Sequence, residues 1–145
     1  MRKRFCVSLL ALSFLVSMAA GAPASAKSVN AMKAQIPFDF HVGNTLVPAG
    51  EYTVRALTDD ESALRIGNLR HSVALNTVSA QERDSKGARL IFRKYGDQYF
   101  LAAVWGGDRT GRTIPASKRE RSLRKELMAA RGGVADAETV VVTLY

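Results

Sequence analysis

Asp39 and His41 stand two residues apart in the alternating run from Gln35 to Val42. In a strand that spacing places both side chains on one face, where a carboxylate can orient an imidazole as a general base. The pair does chemistry only if a nucleophile such as a serine meets it in space, and no spacing in the chain provides one. His71 is the only other histidine, and two imidazoles without ligand spacing do not make a zinc site. A second candidate is Gly106-Gly107-Asp108-Arg109-Thr110-Gly111-Arg112-Thr113, which nearly matches the phosphate loop G-x-x-x-x-G-K-[ST] with Arg112 in place of lysine. Such a loop feeds a strand directly into a helix whose first amides cradle phosphate. Here Pro115 intervenes and the helix begins only near Ser117. The sequence predicts no catalytic residue, no metal ligand and no cofactor, and a protein that is not an enzyme.

Charge offers a different chemistry. Between Ser117 and Arg131 stand Lys118, Arg119, Arg121, Arg124, Lys125 and Arg131 against Glu120 and Glu126, a local +4. Arg119, Arg121, Arg124 and Lys125 form the candidate interaction surface, suited to an anionic partner: lipid headgroups, a polysaccharide or an acidic protein face. The apolar side of this segment is narrow, without the Trp or Phe that an inserting helix carries. A third possibility is the hairpin bearing Tyr95, Tyr99, Phe100 and Trp105 beside Arg93 and Lys94. Its rings could line a small-ligand pocket inside a barrel, or pack as ordinary cross-strand pairs.

The elements that must position these groups are mostly strands. Ile36, Phe38, Phe40 and Val42 alternate with Pro37, Asp39 and His41, the period of a half-buried strand. Tyr52, Val54 and Ala56 begin another, and Ala63–Ile66 a third. The Gly67-Asn68 turn leads to a fourth from about His71 to Val78. Arg89–Tyr95 and Gln98–Trp105 flank Gly96-Asp97 as a hairpin, and the second arm is apolar on both faces, as a central strand should be. Gly106 to Pro115 reads as a break in structure. Ser117 followed by Glu120 is a capping box, Glu120 and Arg124 are spaced for an ion pair, and Gly132-Gly133 ends the helix. Leu123, Leu127 and Ala130 form its apolar stripe. Thr139–Tyr145 is a last, β-branched strand. About seven short strands with one helix before the last predict a mainly β fold, an antiparallel sandwich or small barrel.

Composition bounds what such a domain does. The chain has 145 residues, a formal net charge of +8 and one cysteine, which excludes a disulfide framework. Met1-Arg2-Lys3-Arg4, the apolar run from Phe5 to Ala20 and Ala24-Ser25-Ala26 have the three parts of a Sec-type signal peptide. Cleavage is expected after Ala26, leaving 27–145 as a single domain in the periplasm or outside the cell, with no transmembrane segment. Loss of Arg2, Lys3 and Arg4 lowers the basic count from 21 to 18 against 13 acidic residues, a net +5 over 119 residues. Much of the basicity is therefore targeting, and nucleic acid is not an expected partner.

The segments Ile36-Pro37-Phe38-Asp39-Phe40-His41-Val42-Gly43, Val47-Pro48-Ala49-Gly50-Glu51-Tyr52-Thr53-Val54, Tyr95-Gly96-Asp97-Gln98-Tyr99-Phe100-Leu101 with Val104-Trp105, and Ile114-Pro115-Ala116-Ser117-Lys118-Arg119-Glu120-Arg121 occur in this order. Together they resemble an uncharacterised family of small exported bacterial proteins. The resemblance covers most of the chain after Ala26 and implies a signal peptide and a β-rich domain, with no assigned activity.

Overall fold

The computed structural model describes residues 31–133 and 136–145, so the expected signal segment and its cleavage after Ala26 lie outside the described residues. The described chain is mainly β, with one helix before the last strand, as the sequence predicts. Its elements are β1 (Met32–Ile36), β2 (Phe40–Val42), β3 (Thr45–Val47), β4 (Gly50–Ala56), β5 (Ala63–Gly67), β6 (Ser72–Asn76), β7 (Val78–Gln81), β8 (Ala88–Tyr95), β9 (Gln98–Gly106), β10 (Thr110–Thr113), α1 (Lys118–Arg131) and β11 (Glu138–Thr143). No helix among the described residues is long and apolar enough to cross a membrane.

Eleven strands replace the expected seven or so, for local reasons. The run from Gln35 to Val42 breaks at Pro37, which has no N–H to give a ladder. The Asp39 carboxylate then accepts the Ala49 amide at 2.8 Å, so β1 joins one sheet and β2 another. The run from His71 likewise divides at Thr77 into β6 and β7. β3 pairs back on β2 across the turn at Gly43, whose φ of 62° favours glycine. β10 occupies the segment read as a break: the Asp108 carboxylate accepts the Thr110 amide and hydroxyl at 2.9 and 2.7 Å, closing a turn that folds β10 antiparallel on β9.

One sheet has the order β1-β4-β5-β6 and the other β11-β8-β9-β10-β7, with β2 joined to β9. Pairing is antiparallel throughout, except for a short parallel bridge between His41 and Phe100. At one seam the chain itself passes between the sheets through Thr77. At the other, Lys33 and Tyr145 exchange both backbone hydrogen bonds at 2.9 Å. The result is a curled half-barrel around one core. Ile36, Phe40, Tyr52, Leu90 and Phe92 are among its large, fully buried members, with edge-to-face contacts of Phe40 on Tyr52 and on Phe92. The Tyr52 hydroxyl donates to the Pro48 carbonyl at 2.7 Å, so this ring is buried with its polar end satisfied. β9 is buried on both faces, as expected of a central strand.

Candidate functional site

The helix is fixed by its first turn. Successive side chains of β8 alternate between the core and the outer face, which puts Arg93 and Tyr95 outside, under α1. Glu120, only 2% exposed, accepts from Arg93 Nε and Nη2 at 2.5 and 3.0 Å and from the Tyr95 hydroxyl at 3.2 Å. Arg93 Nη2 also donates to the Ile114 carbonyl at 3.2 Å, which ties the chain entering the helix to the sheet. Burial, and then the Glu120 charge, push the Tyr95 phenol above its ordinary pKa. Ser117 Oγ accepts the Glu120 amide at 3.1 Å and Asn44 Oδ1 accepts the Arg119 amide at 3.2 Å, so two of the otherwise unbonded amides of the first turn have acceptors.

This anchoring corrects two expectations. Glu120 is occupied by the sheet arginine and not by Arg124, which also leaves only the Ser117 half of the capping box. The Leu123, Leu127 and Ala130 stripe is only partly covered: the two leucines are half-buried, and Ala130 is exposed. The helix ends as predicted, with Gly132 at φ 72° and the Gly133 amide bonded to the Met128 carbonyl at 3.1 Å.

Arg119, Arg121, Arg124 and Lys125 are all exposed, as are Lys118 and Arg131. With Glu120 buried against the sheet, Glu126 is the single exposed carboxylate on α1. Lys118, Arg121 and Arg124 follow at three-residue steps, Lys125 lies four residues beyond Arg121 and Arg131 seven beyond Arg124, which places all five along one flank over about 20 Å. Glu126 falls on the opposite flank. Arg121 Nη1 donates to the Ala116 carbonyl at 2.8 Å and Arg119 Nη2 to Gln98 Oε1 at 3.4 Å. These contacts lean the two arginines toward the helix root, while Arg124 and Lys125 form no ion pair among the described residues.

The other candidates separate. Asp39 holds the Ala49 amide, whereas His41 is buried at 4% exposure and stacks on Phe100 with ring centres 4.6 Å apart. Burial, and then the Arg119 charge, lower the His41 pKa against a hydrogen bond with Gln98, and its Nδ1 has no partner. The two residues are not arranged as a base and its orienter. His71 is exposed in the β5–β6 turn, on the sheet that β2 does not join. The Gly-rich loop joins antiparallel strands, without the strand-to-helix junction that holds phosphate.

The hairpin aromatics divide between the two faces of their sheet. Tyr99 stacks on Phe38 at 3.9 Å on the inside, Tyr95 meets Glu120 outside, and Trp105 lies against Gly111 with Arg89 above its ring, 5.1 Å from the centre. A cleft of about 650 Å³ has no aromatic lining. It opens at one end of the half-barrel, where Val54, Leu64 and Val104 of the core reach its floor and Arg55, Arg112, Asp59 and Glu61 stand on its walls. Sequence reading missed this site, because its charged residues come from β4, β10 and the β4–β5 loop and share no spacing. No family model, curated protein or solved structure matches the chain.

Proposed function

We propose that this chain is an exported, non-catalytic interaction module that holds an anionic component of the cell envelope on helix α1. The observation that carries the reading is the separation of charge on the helix: its one buried carboxylate is taken by Arg93, and six cations remain outside against Glu126. Arginine suits this task because its planar fork matches carboxylate and phosphate oxygens two at a time. The N-terminal pattern of basic, apolar and small residues supports export, and so does the resemblance to small exported proteins. The proposed setting is therefore the periplasm or the cell exterior, where lipid phosphates and acidic polysaccharides are the abundant anions.

The test is binding of the purified exported protein to heparin, as a model polyanion, and to vesicles with and without anionic lipid, across a salt series. Binding should weaken steeply as salt screens the helix. The triple variant Arg121→Glu, Arg124→Glu, Lys125→Glu should lose it by at least tenfold. Equal binding by the triple variant would remove α1 from the proposal.

A further inference from the structure

We propose that the cleft at the open end of the half-barrel binds a short apolar peptide in its zwitterionic form. The cleft is independent of α1, so this inference stands or falls separately from the anionic partner. Three observations carry it: an apolar floor, unpaired charges of both signs in one cleft, and a braced guanidinium opposite a loop whose backbone is fixed.

The floor is carbon. Val54, Leu64 and Val104 close the cleft from the core side and Met32 borders it, which suits an aliphatic side chain. Arg112 stands on the wall from β10. Its Nε donates to Thr77 Oγ1 at 3.0 Å, and that hydroxyl donates in turn to the Glu61 carbonyl at 2.7 Å. The guanidinium is thus held from behind, and its two terminal nitrogens meet no protein acceptor among the described residues. A fork fixed at Nε with its Nη edge free is organised in advance for a carboxylate. Arg55, on the same cleft, lies directly across from Arg65 in the β4–β5 ladder and forms no ion pair among the described residues.

The opposing charge comes from the β4–β5 loop. Asp59 and Glu61 line the cleft, and neither has a cationic partner among the described residues. The loop beneath them is tightly fastened. Leu57 N donates to the Ala63 carbonyl at 2.8 Å, Glu61 N to the Thr58 carbonyl at 3.0 Å, and Asp60 accepts the Ser62 amide and hydroxyl at 3.1 and 2.8 Å. These bonds hold Glu61 at φ 56°, a left-handed conformation uncommon for glutamate. Asp108, the remaining carboxylate on the rim, is occupied by Thr110.

Oppositely charged side chains normally pair when they can reach one another. Here Thr77 braces the Arg112 guanidinium and the loop fixes the Glu61 backbone, and neither side chain forms an ion pair among the described residues. A ligand with a single charge finds a like charge in the cleft along with its counter-ion. A ligand carrying both, with an apolar body between, matches the cations, the carboxylates and the floor together. Among small molecules that description fits a short peptide with free termini and aliphatic side chains, and the volume lies within the range of small-ligand sites.

The experiment is an amide-shift titration of the purified protein with Leu-Leu, N-acetyl-Leu-Leu, Leu-Leu amide and octanoate. The free dipeptide should move amides in Val54–Ser62 and Val104–Arg112, and each capped form should bind at least tenfold more weakly. Arg112→Gln should weaken Leu-Leu at least tenfold. If that variant does not fold, Glu61→Gln, which leaves the Arg112–Thr77 bond intact, should weaken Leu-Leu by severalfold without weakening N-acetyl-Leu-Leu. Equal binding of capped and free peptides, tighter binding of octanoate, or no shift at the cleft would overturn the proposal.

Discussion

Arg89 and Arg93 leave β8 on the same outer face, and each meets one carboxylate, yet the two sites hold different kinds of structure. Arg93 reaches 27 residues along the chain to Glu120, whose two oxygens receive the guanidinium and the Tyr95 hydroxyl. Arg89 reaches only seven residues, to Glu82 at 2.5 Å, and donates a second bond to the Gly87 carbonyl at 3.0 Å. There Glu82 Oε1 and Trp105 Nε1 are buried without partners, and the Trp105 ring is covered by the guanidinium on one side and Gly111 on the other. The distant pair is a saturated polar joint that decides where α1 sits. The nearby pair tightens one loop, and that corner depends more on shape, on Trp105 lying flat against a residue with no Cβ.

Removing one partner of each joint distinguishes them. Glu120→Ala leaves Arg93 beneath the helix with no carboxylate, a change that typically costs about 3–5 kcal/mol when both charges are buried. Arg93 keeps 29% side-chain exposure, so water recovers part of the loss, and a destabilisation of about 3 kcal/mol is expected. A lower urea midpoint with an unchanged slope measures it, and faster amide exchange across α1 should accompany it. A shift under about 1 kcal/mol would mean that the joint is ordinary surface pairing. At the second site Gly111→Ala tests shape alone. A Cβ at this position would overlap the Trp105 ring, and such overpacking costs about 1–3 kcal/mol. The Gly111→Ala, Trp105→Leu double variant should recover part of that loss. Its failure to do so would assign the effect to the backbone and not to the ring.

The same contrast marks how far the sequence could be read. Alternation identified Ile36, Phe40, Tyr52 and Val54 as core, because a period of two depends only on neighbours along the chain. The α1 boundaries were equally legible, with Ser117 and Gly132 acting within one turn of themselves. What failed was whatever another segment decides. Glu120 and Arg124 are spaced to pair on a helix, but Arg93 on the sheet offers a second hydrogen bond and a buried setting, and it takes the carboxylate. His41 sits among polar alternating positions, yet the bridge from β2 to β9 brings Phe100 over its ring and buries it. Gly106–Pro115 has the composition of a loop, and β10 forms there because β7 and β9 leave room for a strand between them. The cleft charges were unreadable for the same reason, since Arg112 and Glu61 meet only through Thr77 at the bend between sheets.

The smallest effect separates the helix root from its shaft by sign. At the root, a carboxylate under the helix stabilises it. Along the shaft, cations recur at three- and four-residue spacing without carboxylates between them, and like charges so placed destabilise a helix by about 0.2–0.5 kcal/mol per pair. Lys125 lies four residues from Arg121, and both are exposed. Lys125→Gln removes that repulsion with little change in helix propensity. It should therefore raise stability by a few tenths of a kcal/mol at low ionic strength, and the gain should fade as salt screens the pair. Replicate urea midpoints at low and high salt would resolve it, preferably for Lys125→Gln combined with Arg124→Gln so that the increments add. A loss of stability that persists in salt would show Lys125 making a structural contact. A gain that fades in salt would show the shaft holding its charge against its own stability, as expected of a surface kept basic for a partner and not for the fold.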